Sequence, residues 1–203
     1  MSITRATILS AFVAAFVASA AAAPTFAQQA QRLRGEIEKM DGNTITVKTP
    51  EGKDVKVMLD PNYTVNHAIA IKLSDIKPGT FVGIGSVPEG DTLKAAQVQV
   101  FPPDTKASER HGAWSSDPNG LMTNAPATMV VVGQGGDKIT LTTHGQNYEI
   151  TVPPEAPVVR TEAGTKDLVK PGAWVGISNL VEQNGMLTTK AIVVSDDRRY
   201  PAR

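Results

Sequence analysis

The sequence predicts an all-β protein made of two small tandem barrels related by internal duplication. Three observations carry this expectation: short runs of period-two alternation, turn signals between the runs, and recurrence of both at a near-constant spacing. Among 203 residues, 17 Gly and 14 Pro favour many short strands over long helices.

In the first repeat, strands are expected at 32–40, 43–49, 53–59, 64–66, 80–87 and 92–101. Ile45 and Val47 face one way while Thr44, Thr46 and Lys48 face the other, and Val55, Val57 and Leu59 repeat the pattern. Asp41-Gly42, Glu51-Gly52 and Glu89-Gly90-Asp91 supply the hairpin turns. Leu73-Ser-Asp-Ile-Lys77 fits one helical turn ended by Pro78-Gly79.

The second repeat follows at 127–133, 138–143, 146–152, 157–160, 173–181 and 187–195, with Asn184-Gly185 as its last turn. Gly42-Asn-Thr-Ile-Thr-Val-Lys48 matches Gly136-Asp-Lys-Ile-Thr-Leu-Thr142 at an offset of 94. Val55, Val57 and Leu59 match Tyr148, Ile150 and Val152 at 93, as do Lys77-Pro-Gly79 and Lys170-Pro-Gly172. Phe81-Val-Gly-Ile84 then matches Trp174-Val-Gly-Ile177, and Leu93, Val98 and Val100 match Leu187, Ile192 and Val194. A flat sheet of this length cannot bury its apolar face, so each repeat is expected to curl into an OB-like barrel, similar to oligonucleotide/oligosaccharide-binding folds. The resulting division is a leader at 1–27, a first barrel at 28–101, a linker at 102–126, a second barrel at 127–196 and a tail at 197–203.

Arg5, the uncharged stretch Ile8 to Ala23, and Thr25-Phe26-Ala27 have the order of a secretory signal peptide, with cleavage expected after Ala27. The apolar stretch is shorter than the ~20 residues that span a bilayer, so no membrane insertion is expected after cleavage. The chain has no cysteine, which excludes a lipid anchor through a lipobox and any disulfide. A soluble periplasmic or secreted protein is expected. With 20 basic and 20 acidic side chains, and only Arg5 charged in the leader, a strongly basic nucleic-acid binder is disfavoured.

Gly35-Glu-Ile-Glu38, Asp41-Gly-Asn-Thr-Ile-Thr-Val47, Leu73-Ser-Asp-Ile-Lys-Pro-Gly79, Val100-Phe-Pro102, and a Trp-containing linker running into Met122-Thr-Asn-Ala125 together resemble bacterial exported proteins of the domain-of-unknown-function family 5666. The resemblance covers nearly the whole chain after the leader and implies the fold and the exported location. Its motifs are strand-and-turn signatures without a catalytic residue. Where similar proteins often carry Arg-Pro-Trp-Asp, this chain has Gly112-Ala-Trp-Ser115.

No catalytic residue is expected, and neither a cofactor nor a metal. His67, His111 and His144 are not at ligand spacing, and His67 and His144 are not equivalent in the repeat. The sharpest metal reading joins His111 to Glu109 or Asp117. Ser86 lacks the second glycine of a nucleophile elbow, Gly133-Gln-Gly-Gly136 lacks the Lys-Ser/Thr of a phosphate loop, and Glu36/Glu38 and Asp196/Asp197 read as solvent-facing or frayed. Phe81 and Trp174 are expected in the core, with the glycines near Ser86 permitting bending.

The linker residues Arg110, His111 and Trp114 are the candidate ligand or partner site, because the duplication does not explain them. Trp114 either plugs the seam between the barrels or anchors a partner. The seam is the preferred reading because Leu121 and Met122 add apolar surface nearby. The expected function is a non-enzymatic binding or scaffold module acting on an envelope protein or polymer. A metal- or small-ligand-handling accessory protein is the alternative, and a hydrolase ranks third.

Overall fold

The computed structural model describes residues 31–103, 105, 108–133 and 136–201, so the expected leader and its cleavage site lie outside the described residues. The described chain is all-β. Its strands are β1 (Gln31–Asp41), β2 (Thr44–Lys48), β3 (Asp54–Ala70), β4 (Phe81–Glu89), β5 (Thr92–Val100) and β6 (Arg110–Ala113). They continue with β7 (Leu121–Val131), β8 (Lys138–Thr143), β9 (Gln146–Thr151), β10 (Val158–Ala163), β11 (Trp174–Gln183) and β12 (Met186–Ser195). The expected helical turns are single 3-10 turns at Leu73–Asp75 and Lys166–Leu168. Among the described residues, no helix is long and apolar enough to cross a membrane.

The strands are not shared out one barrel to each repeat. β1, β2 and β3 form an antiparallel run, which β11 and β12 then close: β11 pairs with β1, β12 pairs with β11, and β12 runs parallel to β3. This closed five-stranded barrel therefore takes three strands from the first repeat and two from the second. The remaining strands follow the complementary rule. β4 and β5 leave the first repeat to join β7, β8 and β9, and β5 returns to β9 through the parallel pairs Leu93↔Ile150 and Lys94↔Thr151. Period-two alternation fixes which face of a strand is buried, but says nothing of which distant strand satisfies its edge.

Equivalent pairings recur across the two halves. Leu187↔Val57 and Ile192↔Val65 between β12 and β3 correspond to Leu93↔Ile150 and Val98↔Val158 on β5. The backbone bonds Ile37 N–H to Ala173 O and Ala127 N–H to Thr80 O, both 2.8–2.9 Å, are similarly matched. The end of β3 meets β10 antiparallel, with Ala68 opposite Thr161.

Each half of the sheet has its own core drawn from both repeats. Ile37, Ile45, Val57 and Leu59 pack with Val175, Ile177 and Ile192 in one, and Val82, Ile84 and Val98 pack with Ile139, Leu141 and Ile150 in the other. A third cluster, Ala68, Val159 and Tyr200, lies where β3 meets β10. Burial of such aliphatic side chains contributes roughly 1.5–3 kcal/mol each.

Three local expectations are corrected and one is extended. The runs at 53–59 and 64–66 are one 17-residue strand that passes through Pro61, because β12 and β10 pair with its far half. β4 is buried on both faces from Val82 to Ser86: a Cβ on Gly83 would lie 2.8 Å from Phe101, and one on Gly85 would lie 2.6 Å from the Trp114 ring. These glycines admit rings that cover the strand, and the register of β4 against β5 shifts between Gly85 and Ser86, so close approach adds to the expected bending role. Phe81 and Trp174 are half-buried at the junction instead of central. Phe81 is tilted on Phe101 at 5.8 Å, and Trp174 Nε1 donates to the Tyr200 carbonyl at 3.0 Å. The tail is docked rather than frayed. Tyr200 is buried, and Arg199 binds Asp197 at 2.7 Å and the Pro154 and Glu155 carbonyls at 3.0 and 3.1 Å.

Candidate functional site

The segment expected as a linker builds much of a cleft at the junction of the two halves. Arg110–Ala113 forms β6 and pairs antiparallel with Leu121–Asn124 of β7. Between them Trp114 N–H donates to Gly120 O at 2.9 Å, Asp117 N–H to Trp114 O at 3.1 Å, and Asn119 N–H to Asp117 Oδ1 at 2.8 Å. This compact turn leaves Trp114 only 5% exposed, with its ring against Gly85 and Gly120. Pro126 stands where β7 changes partner from β6 to β8, a place where its missing N–H costs no ladder bond.

β1 faces this turn from the other half. The Arg32 guanidinium donates to Ser115 Oγ at 2.6 Å and also to Ser116 Oγ. Arg34 Nη1 donates to the Pro201 carbonyl at 3.0 Å. A polar chain runs from the tail to β5 and β10: Tyr200 OH donates to Gln99 Oε1 at 2.8 Å, Gln99 Nε2 to Thr161 Oγ1 at 3.1 Å, and Thr161 Oγ1 to Val100 O at 3.2 Å. Burial pushes the Tyr200 phenol well above its ordinary range, so it stays a neutral donor.

The cleft has a volume of about 270 Å³ and includes Arg32, Arg110, Gln97, Gln99, Asn124 and Ser178 in its wall. A neighbouring cleft of about 370 Å³ shares Arg32, Ser115, Ser116, Ser178 and Pro201 with it. No carboxylate lines the smaller cleft, and neither Arg32 nor Arg110 is in an ion pair among the described residues. Asn124 Oδ1 is buried without a hydrogen-bond partner there.

Of the three residues expected from the sequence, Arg110 and Trp114 line this cleft and His111 does not. His111 Nδ1 is 2.9 Å from Thr123 Oγ1, and its ring stacks on Tyr148 at 4.0 Å. Burial lowers its pKa. Asp117 is committed to the turn through Asn119, and among the described residues no three His, Asp or Glu side chains gather as metal ligands. His67 is instead 2.8 Å from Asp196, and His144 occupies the β8–β9 turn at φ +50°.

Sequence reasoning missed Arg32, Ser115, Ser116, Gln99, Asn124 and Tyr200. Two arginines at alternate positions at the start of β1, Arg32 and Arg34, were the one available signal. A larger groove of about 480 Å³ lies where β11 and β12 lose pairing between Gly176↔Val193 and Val181↔Thr188, and none of the candidate site residues Arg110, His111 and Trp114 lines it.

No protein-family model matches the chain, and no curated protein or solved structure is found to be similar to it.

Proposed function

We propose that this is an exported, non-enzymatic binding or scaffold module of the bacterial cell envelope, acting in the periplasm or outside the cell on an envelope protein or polymer. The observation that carries the reading is the junction cleft. It brings Arg32 and Arg110 from opposite halves of the sheet into one cleft that no carboxylate lines among the described residues, Glu51 lying in the adjoining cleft. The finer architecture belongs to the same proposal: two OB-like barrels descended from one duplicated unit, each lending its last two strands to the other. The repeated registers at Val65↔Ile192 and Val98↔Val158 support it, as does the parallel contact between third and fifth strands in each ring. The resemblance to the domain-of-unknown-function family 5666 and the leader-like order of residues 1–27 support the exported location.

The test is capture from envelope extract by the tagged full chain, compared with a double Arg32→Gln, Arg110→Gln variant of unchanged circular dichroism. Captured material that is lost with the variant supports the cleft as the binding site. Equal capture by both proteins removes it.

A further inference from the structure

The geometry points to a ligand class for the junction cleft: an oligosaccharide that carries carboxylates. The inference rests on the binding-module reading and adds the chemistry of what binds. A guanidinium is permanently charged and presents a planar fork that matches a carboxylate. Arg32 and Arg110 bring two such forks to the cleft, and their hydrogen bonds within the chain go to the Ser115 and Ser116 hydroxyls and the Ala113 carbonyl, all neutral acceptors. Their charge is therefore left for an incoming anion.

The rest of the wall argues for a ligand dense in hydroxyl groups. Gln97, Gln99, Asn124, Ser178 and Trp114 line the same cleft as the two arginines, and the Gln99 amide is already held by Tyr200 and Thr161. Asn124 Oδ1 is buried against Gly83 and has no donor partner among the described residues, so the wall offers its ligand the arginines and the exposed Ser178 hydroxyl rather than this oxygen. An inorganic anion would use the arginines and leave the exposed Ser178 hydroxyl on the wall unmatched. A purely apolar ligand would strand both arginines.

The internal symmetry also explains why the cleft is open on one side. Gly85 on β4 is covered by Trp114, whereas the equivalent position on β11 is Ser178, exposed and on the cleft wall. Similarly, Gly83 is covered by Phe101 and its counterpart Gly176 by Pro201. Three of these four matched strand positions are closed over by a ring or proline, and the fourth carries a hydroxyl at the cleft.

The experiment is isothermal titration of the full chain with a galacturonate trimer, a neutral galactose trimer and a triglutamate peptide. The expected result is saturable binding of the galacturonate trimer, weakened about tenfold or more by either Arg32→Gln or Arg110→Gln, with no detectable binding of the neutral trimer. Arg110→Lys, which keeps charge but loses the fork, should fall between wild type and Arg110→Gln. Equal binding of the neutral trimer, binding of triglutamate as tight as galacturonate, or no galacturonate binding by folded wild type each overturns the ligand class. If galacturonate fails while the arginine-dependent capture from envelope extract succeeds, the ligand class falls and the binding module stands.

Discussion

Replacing Trp114 by alanine separates three roles for the segment between the repeats. The indole is 5% exposed and lies against Gly85 of β4 and Gly120 of its own turn. A buried aromatic of this size removes ~150–250 Å² from water, which at ~25 cal/mol per Å² gives about 4–6 kcal/mol. Alanine keeps one methyl, and the open cleft beside the ring lets solvent refill part of the space, so Trp114→Ala should cost about 3–5 kcal/mol. In urea this moves the unfolding midpoint down by roughly 1–3 M at an ordinary slope. A second substitution checks the contact itself. Gly85→Ala places its Cβ 2.6 Å from the indole and should destabilise the wild type, yet cost little in the Trp114→Ala background. An unchanged urea midpoint for Trp114→Ala would refute the packing argument, and unchanged stability with weakened envelope capture would make Trp114 a partner anchor.

Gly35→Ala should destabilise more than Gly85→Ala, by about 1–3 kcal/mol, because its Cβ would meet the Lys48 carbonyl oxygen, a backbone atom that cannot rotate away; comparable midpoints for the two would contradict this. Tyr200→Phe should cost about 1–2 kcal/mol by orphaning Gln99 Oε1, and Tyr200→Ala about 3–5 kcal/mol, while a tail of no structural weight would leave thermal melts unaltered for both. His111 has its pKa lowered by burial, so the unfolded chain binds the proton more readily. Stability from this group is complete above the ordinary histidine pKa and declines as the pH falls through that value toward the folded one. Thermal melts between pH 7.5 and 5 should therefore fall more steeply for wild type than for His111→Asn, and equal slopes would remove the burial argument.

How much of this was legible beforehand varies with the physics of each element. β2 was readable because Ile45 and Val47 alternate with polar neighbours and a turn glycine, Gly42 at φ +56°, precedes them. The long β3 was not, since Asp60-Pro61-Asn62 reads as a break, and only the distant β10 and β12 carry the strand past it. The corresponding stretch of the second repeat, with Pro153-Pro154, does stay broken between β9 and β10. The repeat's registers were visible, but the exchange of β4 and β5 for β11 and β12 was not: a strand's composition does not name its partner. Arg110 and Trp114 stood out from the sequence because the repeat left them unexplained. Arg32 lay hidden in an ordinary strand, and Tyr200 in what looked like a tail.

The central claim is that neither repeat is a unit on its own, so that the cleft exists only where strands of both halves interlock. Inserting one protease site at Thr105, cutting the folded chain between Phe101 and Arg110 and measuring its mass by native mass spectrometry tests this directly. The account predicts that the two fragments stay together as one particle of the original mass and part only in denaturant. Two fragments that separate in buffer, each still folded, would mean one barrel to each repeat and would contradict it.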